Sequence, residues 1–122
     1  MIVASVSKAY YVSAINLTNS ILDFYPEAKI TLCTEPELFE ERHRKLFDVV
    51  DLTAPNHSRA KLYALPKTTY DITAYIDADC EVQDEEISTM FDQLGKNDIM
   101  LTKIRDYSGA DVFISETESL YW

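Results

Sequence analysis

The stretch DITAYIDAD, residues 71–79, is an apolar run that ends in two carboxylates. Its branched and aromatic side chains predict a fourth β-strand over residues 71–76. Because side chains alternate along a strand, we expect Asp77 and Asp79 on one side and Ala78 on the other. Both carboxylates would then stand at the carboxyl end of a core strand, which is where open parallel sheets bind their ligands.

Strand and helix patterns alternate on both sides of this stretch. The other predicted strands are residues 2–6, 29–33, 47–52, 99–102 and 112–115. The predicted helices are residues 13–24, 37–46, 56–65 and 85–94, with Ser13, Asn56 or Ser58, and Asp84 as N-caps. The alternation predicts an α/β fold with a mainly parallel central sheet and helices on both faces, in a single domain over residues 1–122.

The composition limits the classes of partner. With 47% hydrophobic residues, two glycines and four prolines, the chain can bury a core and does not resemble a linker. The net charge of −10 argues against nucleic acid, because phosphate binding needs a basic surface. An acidic surface is compatible with a bound cation.

The two cysteines and the N-terminus bear on redox state and location. Cys33 and Cys80 are too few for a disulfide framework, and both lie in strand-like runs, so we expect two buried free thiols. The first residues lack the basic lead of a signal peptide, and no stretch has the length of a membrane span. The expectation is a cytoplasmic protein with no membrane span.

The pair of aspartates at 77 and 79 is the candidate metal site. Two carboxylates this close repel each other, and a hard divalent cation such as Mn²⁺ or Mg²⁺ relieves the repulsion. The alternative is a pair of solvated aspartates in a turn, because this spacing often occurs by chance. The position directly after a core strand favours the metal site.

A basic segment precedes the aspartates in an otherwise acidic chain. Arg59 and Lys61 could supply cationic donors to a diphosphate that is bridged to the metal. The alternative for each is a solvated position at the start of a helix. His57 could be a ligand, a cap or a surface residue, and the last two together are favoured.

These features together resemble a known family. The order of Arg59, Lys61, Leu65-Pro66 and the strand ending in Asp77-Ala78-Asp79 is similar to the core of GT-A fold glycosyltransferases, in particular the glycogenin and lipopolysaccharide galactosyltransferase-like group. The opening also fits, with Val3-Ala4-Ser5 on a first strand, a tyrosine soon after it and Ser20-Ile21-Leu22 in a helix. The resemblance covers residues 1–105 and implies a GT-A (Rossmann-like) fold in a minimal or truncated member.

The resemblance also implies roles for individual residues. The nucleoside pocket would involve Ala4, Ser5, Tyr10 or Tyr11 and, as a weaker candidate, Asp51. The diphosphate or donor sugar would face Arg59 and Lys61. Asp77, with Ala78 beside it, would reach the ribose or sugar hydroxyls and touch the metal, and Asp79 would be the main ligand of Mn²⁺ (or Mg²⁺). The catalytic set is thus Asp77, Asp79, Lys61 and Arg59.

The implied function is metal-dependent transfer of a hexose from a UDP-sugar, UDP-glucose or UDP-galactose, to an unknown acceptor, with donor hydrolysis as a companion. The chain departs from the family because no histidine follows Asp79, and neither Asp106 nor Asp111 can be assigned as a base. One alternative is therefore a truncated, non-catalytic nucleotide-sugar-binding module.

Other readings rank lower. A nucleotidyltransferase would carry a glycine-rich loop after the first strand, and residues 7–11 contain no glycine. A purely structural α/β domain is the remaining alternative. A homodimer through Leu120, Tyr121 and Trp122 is one hypothesis for the tail, and a tail without a fixed contact is the other.

Overall fold

The sheet in the described part of the chain has three parallel strands. The computed structural model describes residues 1–4, 7–55, 57 and 60–100. Strand β1 spans Ile2–Ala4, β2 spans Thr31–Cys33 and β3 spans Val49–Asp51, in the order β1-β2-β3. The register places Ala4 beside Cys33 and Cys33 beside Asp51, so the three strands end at one edge.

A long helix, α1, follows the first strand and spans Lys8–Phe24. The N-cap is Ser7, whose hydroxyl accepts a hydrogen bond from the Tyr10 amide at 3.3 Å. The prediction of Ser13 as the cap is therefore wrong by six residues, since Ser13 lies inside the helix. The Ser7 carbonyl also accepts from the Tyr11 amide at 2.8 Å, so the first turn is already formed upstream of Ser13.

One face of α1 forms the main hydrophobic core with the sheet. Ala14, Leu17 and Ile21 are fully buried, as their spacing predicts, and they belong to one cluster with Ile30 and Leu32. Burial of each large aliphatic side chain stabilises the fold by about 1.5–3 kcal/mol. At the end of the helix, Phe24 does not continue the buried face and remains 41% exposed.

The segment between β2 and β3 is less regular than its sequence suggests. The predicted helix over residues 37–46 is wrong in its first half and shorter than predicted in its second. The Leu38 and Phe39 amides close turns on Glu35 and Pro36, and a 3₁₀ helix then spans Glu41–Leu46. Both apolar residues pack partly buried against the core, which holds the chain in turns instead of an α-helix.

A second, short helix, α2, spans Ala60–Ala64 and continues as a 3₁₀ turn over Leu65–Lys67. Pro66 lies inside this turn, where its missing amide disrupts no hydrogen bond of a longer helix. Of the predicted start, Asn56, Ser58 and Arg59 lie outside the described residues.

The predicted fourth strand is not formed in the described chain. Within residues 71–76, only Tyr75 makes an isolated β-bridge, and the segment is otherwise irregular. A strand requires a continuous ladder of backbone partners, which the local side-chain pattern cannot specify. The aspartates at 77 and 79 therefore follow an irregular connection with one isolated bridge instead of a full core strand.

The predicted helix over residues 85–94 is also wrong, and two 3₁₀ segments replace it, Glu85–Thr89 and Asp92–Leu94. The Ser88 and Thr89 hydroxyls donate to carbonyls three residues earlier, at 2.8 and 2.9 Å, and this local bonding competes with an α-helix. The cap at Asp84 is confirmed, since its carboxylate accepts from the Glu86 amide at 2.9 Å. Gly95 ends the segment with a φ of 58°.

The last predictions fall at or beyond the end of the described chain. Ile99 and Met100 are exposed and not in a strand. The rest of the fifth strand, the sixth strand, Asp106, Asp111 and the tail lie outside the described residues. A mixed α/β fold with a small parallel sheet is confirmed, and among the described helices none is long and apolar enough to cross a membrane.

Candidate functional site

The segment Asp77-Ala78-Asp79 presents two exposed carboxylates on either side of a buried methyl group. Ala78 is 5% exposed and belongs to the main core cluster, while both aspartates are exposed. The Cys80 amide donates to the Asp77 carbonyl at 3.0 Å and closes a turn. The buried alanine anchors the turn, so the alternation expected of a strand survives locally although the strand does not.

Lys61 comes from α2 to meet the first of these carboxylates. Its Nζ lies 3.4 Å from Oδ1 of Asp77 and 5.1 Å from the centre of the Tyr75 ring. Burial, the hydrogen bond to Asp77 and the charges of Asp77 and Asp79 raise the pKa of the Tyr75 hydroxyl above its ordinary value. Tyr75 therefore remains a neutral hydrogen-bond donor beside the lysine and the carboxylate.

Asp79, by contrast, lines a cavity of about 440 Å³ between α1 and residues 78–81. Asn16 and Asn19 of α1 face the same space, together with Glu81. The Val82 amide donates to the Ser20 hydroxyl at 3.0 Å, which fastens the segment after the aspartates to the helix. Among the described residues that line the cavity, none is cationic.

A separate network occupies the end of β3. Oδ1 of Asp51 accepts from the Thr53 amide at 2.8 Å, and Lys67 lies 3.7 Å from Oδ2. The Thr53 hydroxyl is 2.8 Å from the Tyr63 hydroxyl, and Lys67 lies 3.5 Å from the centre of the Tyr63 ring. Asp51 is thus tied into a structured loop at the carboxyl edge of the sheet.

The network perturbs the acidity of its members. Partial burial alone would raise the pKa of Asp51, but hydrogen bonds from Thr53 and the charge of Lys67 outweigh it and hold the pKa below its ordinary value. The hydrogen bond from Lys67 lowers the pKa of Tyr63, with Thr53 contributing. Lys67 therefore stabilises the charged form of Asp51 and makes the Tyr63 hydroxyl more acidic.

The residues predicted for the nucleoside pocket differ in burial, and not all of them lie among the described residues. Tyr11 is 2% exposed, and its hydroxyl bonds to Nδ1 of His43 at 2.9 Å and accepts from the Glu40 amide at 3.1 Å, so this side chain is a core element. Tyr10 is 49% exposed. Ala4 ends β1, whereas Ser5 and Arg59 lie outside the described residues.

Several residues at these sites were not singled out from the sequence. Thr53, Tyr63 and Lys67 were missed, although an aspartate two residues before a threonine is a recognisable turn signal. Asn16 and Asn19 were also missed, because a polar helix face is usually solvated and carries no pattern of its own.

The candidate ligands for a cation form a small oxygen set. In the described part of the chain, no group of three or more histidine, cysteine, aspartate or glutamate residues is gathered as a metal site. Two carboxylates nevertheless suit a divalent ion that takes its remaining ligands from substrate phosphates and water. Cys80 beside them is exposed, so the prediction of a buried thiol is wrong there and confirmed only for Cys33.

No family model, curated protein or solved structure matches this chain.

Proposed function

We propose that the chain is a GT-A glycosyltransferase that uses a divalent metal to transfer a hexose from a UDP-sugar. The observation that carries the proposal is the 3.4 Å contact between Lys61 and Asp77, which joins two parts of the predicted site that lie sixteen residues apart. A lysine and two exposed carboxylates are the groups that a metal–diphosphate unit requires.

The surroundings of Lys61 suit a diphosphate. Its side chain is 25% exposed, and it is held between the Tyr75 ring and Asp77. A partly buried ammonium forms stronger charge-assisted hydrogen bonds than a fully solvated one. We infer that the ammonium turns from the carboxylate to a phosphate oxygen when the donor binds, and that Tyr75 continues to donate to Asp77.

The metal requirement fits the same residues. Asp77 and Asp79 would hold Mn²⁺ or Mg²⁺, and the bound ion would supply Lewis-acid neutralisation of the diphosphate leaving group. Lys61 and the predicted Arg59 would hold the phosphate oxygens that do not face the ion. With a net charge of −10, the protein repels a free nucleotide anion, so binding should depend strongly on the cation.

The nucleoside would lie along the edge where the strands end. Ala4 and Asp51 are at the carboxyl ends of the outer strands β1 and β3. Of the two candidate tyrosines we favour Tyr10 for the base, because its ring is half exposed and the Tyr11 hydroxyl is already bonded twice in the core.

Calorimetric titration with UDP, with and without Mn²⁺, tests the donor site. We expect binding only with the metal, and an affinity at least about tenfold weaker in Asp79→Asn and Lys61→Met, equivalent to about 1.4 kcal/mol each. Asp98→Asn and Lys96→Met are the matched controls, since both residues are exposed. Metal-independent binding that survives both site variants would refute the assignment.

A non-catalytic binding module is the second candidate, because the described residues bring a lysine to the paired aspartates but gather no group of three possible metal ligands. Release of UDP from UDP-glucose and UDP-galactose separates the two. Release that disappears in Asp77→Asn indicates an enzyme. Tight, metal-dependent UDP binding without release of UDP from either sugar indicates a binding module.

A further inference from the structure

The cavity between α1 and residues 78–81 is not used by the donor site, apart from their shared Asp79. Its helix side is a polar stripe at positions 13, 16, 19, 20 and 23. These positions extend along about 15 Å of helix at 1.5 Å per residue. The opposite face of α1 is buried in the core, and this packing fixes the position of the polar stripe relative to the loop.

The lining offers many hydrogen-bonding groups that the described chain does not use. The Asn16 and Asn19 amides and the Asp23, Asp79 and Glu81 carboxylates line the cavity, and the described residues provide them with no hydrogen-bond partner. The exception is Ser20, whose hydroxyl donates to the Leu17 carbonyl at 2.8 Å and accepts from Val82. The loop is therefore fixed by Ser20, and the neighbouring amides and carboxylates face the space.

The charge of the lining selects the class of ligand. Three carboxylates and no described cation repel phosphate and other anions that do not bring their own metal ion. A metal ion without a bound nucleotide would be held weakly, since the described residues gather no three histidine, cysteine, aspartate or glutamate side chains around one. Amides beside carboxylates present both donors and acceptors, which is what neutral hydroxyl groups require. The space is open to solvent, since the asparagine and acidic side chains that line it are exposed, and its volume of about 440 Å³ is large enough for a small ligand.

We propose that this cavity binds a saccharide, and that the saccharide is the acceptor of the transfer, an identification that rests on the proposed function. Because Asp79 lines the cavity and is also a proposed metal ligand, an acceptor hydroxyl here would lie next to the donor sugar. The α1 face and the loop after the aspartates then form the acceptor side of the site.

Cys80 provides a direct readout, because it lines the cavity and is exposed while Cys33 is buried. The experiment follows the alkylation of Cys80 by N-ethylmaleimide, resolved by peptide mass spectrometry, with maltose or lactose as the probe and without UDP or metal. At a sugar concentration about ten times the dissociation constant, we expect alkylation to slow about tenfold. The double variant Asn16→Ala/Asn19→Ala should lose this protection, and Gln93→Ala, an exposed amide outside the cavity, should retain it.

Each other outcome overturns the proposal. No protection by either disaccharide, equal protection by glycerol, or protection that persists in the double variant would each refute the saccharide site. Protection by spermidine or Mn²⁺ alone, with none by sugar, would make the cavity a cation site. Circular dichroism checks that the alanine variants fold, which is expected because alanine favours helix at both positions.

The assay also separates this proposal from the donor site. Sugar protection is measured without nucleotide, so protection together with failed UDP binding would leave a saccharide-binding cavity and refute the glycosyltransferase. Metal-dependent UDP binding without sugar protection would refute the saccharide cavity and leave the donor site supported.

Discussion

The described residues up to 55 and those from 57 onward are built differently. The first region holds all three strands, the 17-residue helix and every large buried side chain, including Leu17, Ile30 and Leu32. In the second region, only three residues are buried, and all are alanines: Ala60, Ala64 and Ala78. The first region therefore supplies the fully buried core, and the second packs against it through buried alanines and partly buried side chains such as Ile76, Ile87 and Phe91.

The comparison separates the region that provides most of the stability from the region that carries most of the candidate site residues. The second region has short helical segments and little fully buried apolar area, which is typical of segments that open at low free energy. It nevertheless carries the paired aspartates and Lys61, while the first region contributes the rigid face of α1. A candidate site at such a boundary combines a stable platform with residues that can rearrange around a ligand.

The largest expected effect is on the core. Leu17→Ala should lower the free energy of unfolding by about 2–5 kcal/mol, because it opens a cavity at a fully buried position. Ile87→Ala, at a partly buried position packed against the same core, should cost less than about 2 kcal/mol. Urea denaturation measures both losses, and equal losses would show that the second region shares the core equally.

The two thiols should differ in reactivity by about tenfold or more, with Cys80 reacting faster because it is exposed. Burial, with the charge of Asp51, raises the pKa of the Cys33 thiol from 9.0 to about 11, which lowers its thiolate fraction about a hundredfold. Burial and the nearby aspartates also raise the pKa of Cys80, but this thiol is exposed. Rates of N-ethylmaleimide labelling check the order; comparable rates in the native protein would contradict it, and in urea the rates should converge.

Helix caps should matter more in the first region. Ser7→Ala should cost about 1 kcal/mol, because Ser7 caps the 17-residue helix. Asp84→Ala should cost less than about half as much free energy of unfolding, because Asp84 caps only five residues of exposed 3₁₀ structure. This holds although the bond that Asp84 accepts from the Glu86 amide is shorter than the one that Ser7 accepts. Thermal unfolding compares the two, and the comparison fails if the Asp84 variant is the less stable.

The smallest expected effect is the pH dependence of the folding stability that Asp48 contributes. Burial alone would raise its pKa, but hydrogen bonds from the Ile30 amide and Lys29 lower it. A depressed folded-state pKa gives stability that is present above the unfolded value of about 3.9 and is lost as pH falls through the folded value.

At pH 7, Asp48→Asn should therefore lower the free energy of unfolding by under about 1 kcal/mol, which urea denaturation measures. This loss of stability relative to the unaltered protein should shrink as pH falls below about 4. Asp71→Asn, in the second region and exposed, is the control and should show no such trend. A deficit that stays constant down to acidic pH would contradict the role given to the carboxylate.

The sequence predicts the strands and the buried helix face of the first region, because their apolar residues satisfy a local rule, but it does not predict the turns before Glu41. The spacing of Ala14, Leu17 and Ile21 gives the buried helix face, and the branched run around Leu32 gives β2. The start of α1 was misplaced because Ser7 and Ser13 are equally good caps in isolation. In the second region, residues 71–76 have a strand composition, but pairing depends on neighbours that no local pattern identifies.

The candidate site divides along the same line. Asp77, Asp79 and Lys61 were predicted from their order along the chain, and the structure brings Lys61 and Asp77 into contact. The α1 side of the cavity was not predicted. Its polar face lines a cavity only because a loop 62 residues away in sequence packs beside it. Such contacts are long-range and cannot be read from residues 13–23 alone.

The hydrogen bond from the Val82 amide to the Ser20 hydroxyl has a consequence for folding kinetics. It joins residues 62 positions apart, and contacts of such separation form late because a long loop must close first. Because the Ser20 hydroxyl is oriented by its own bond to the Leu17 carbonyl within α1, we expect the turn at residues 77–80 to reach its final position after the helix has formed. A chain arrested during folding would then hold its core without its site, and any ligand that binds there would select molecules that have completed folding.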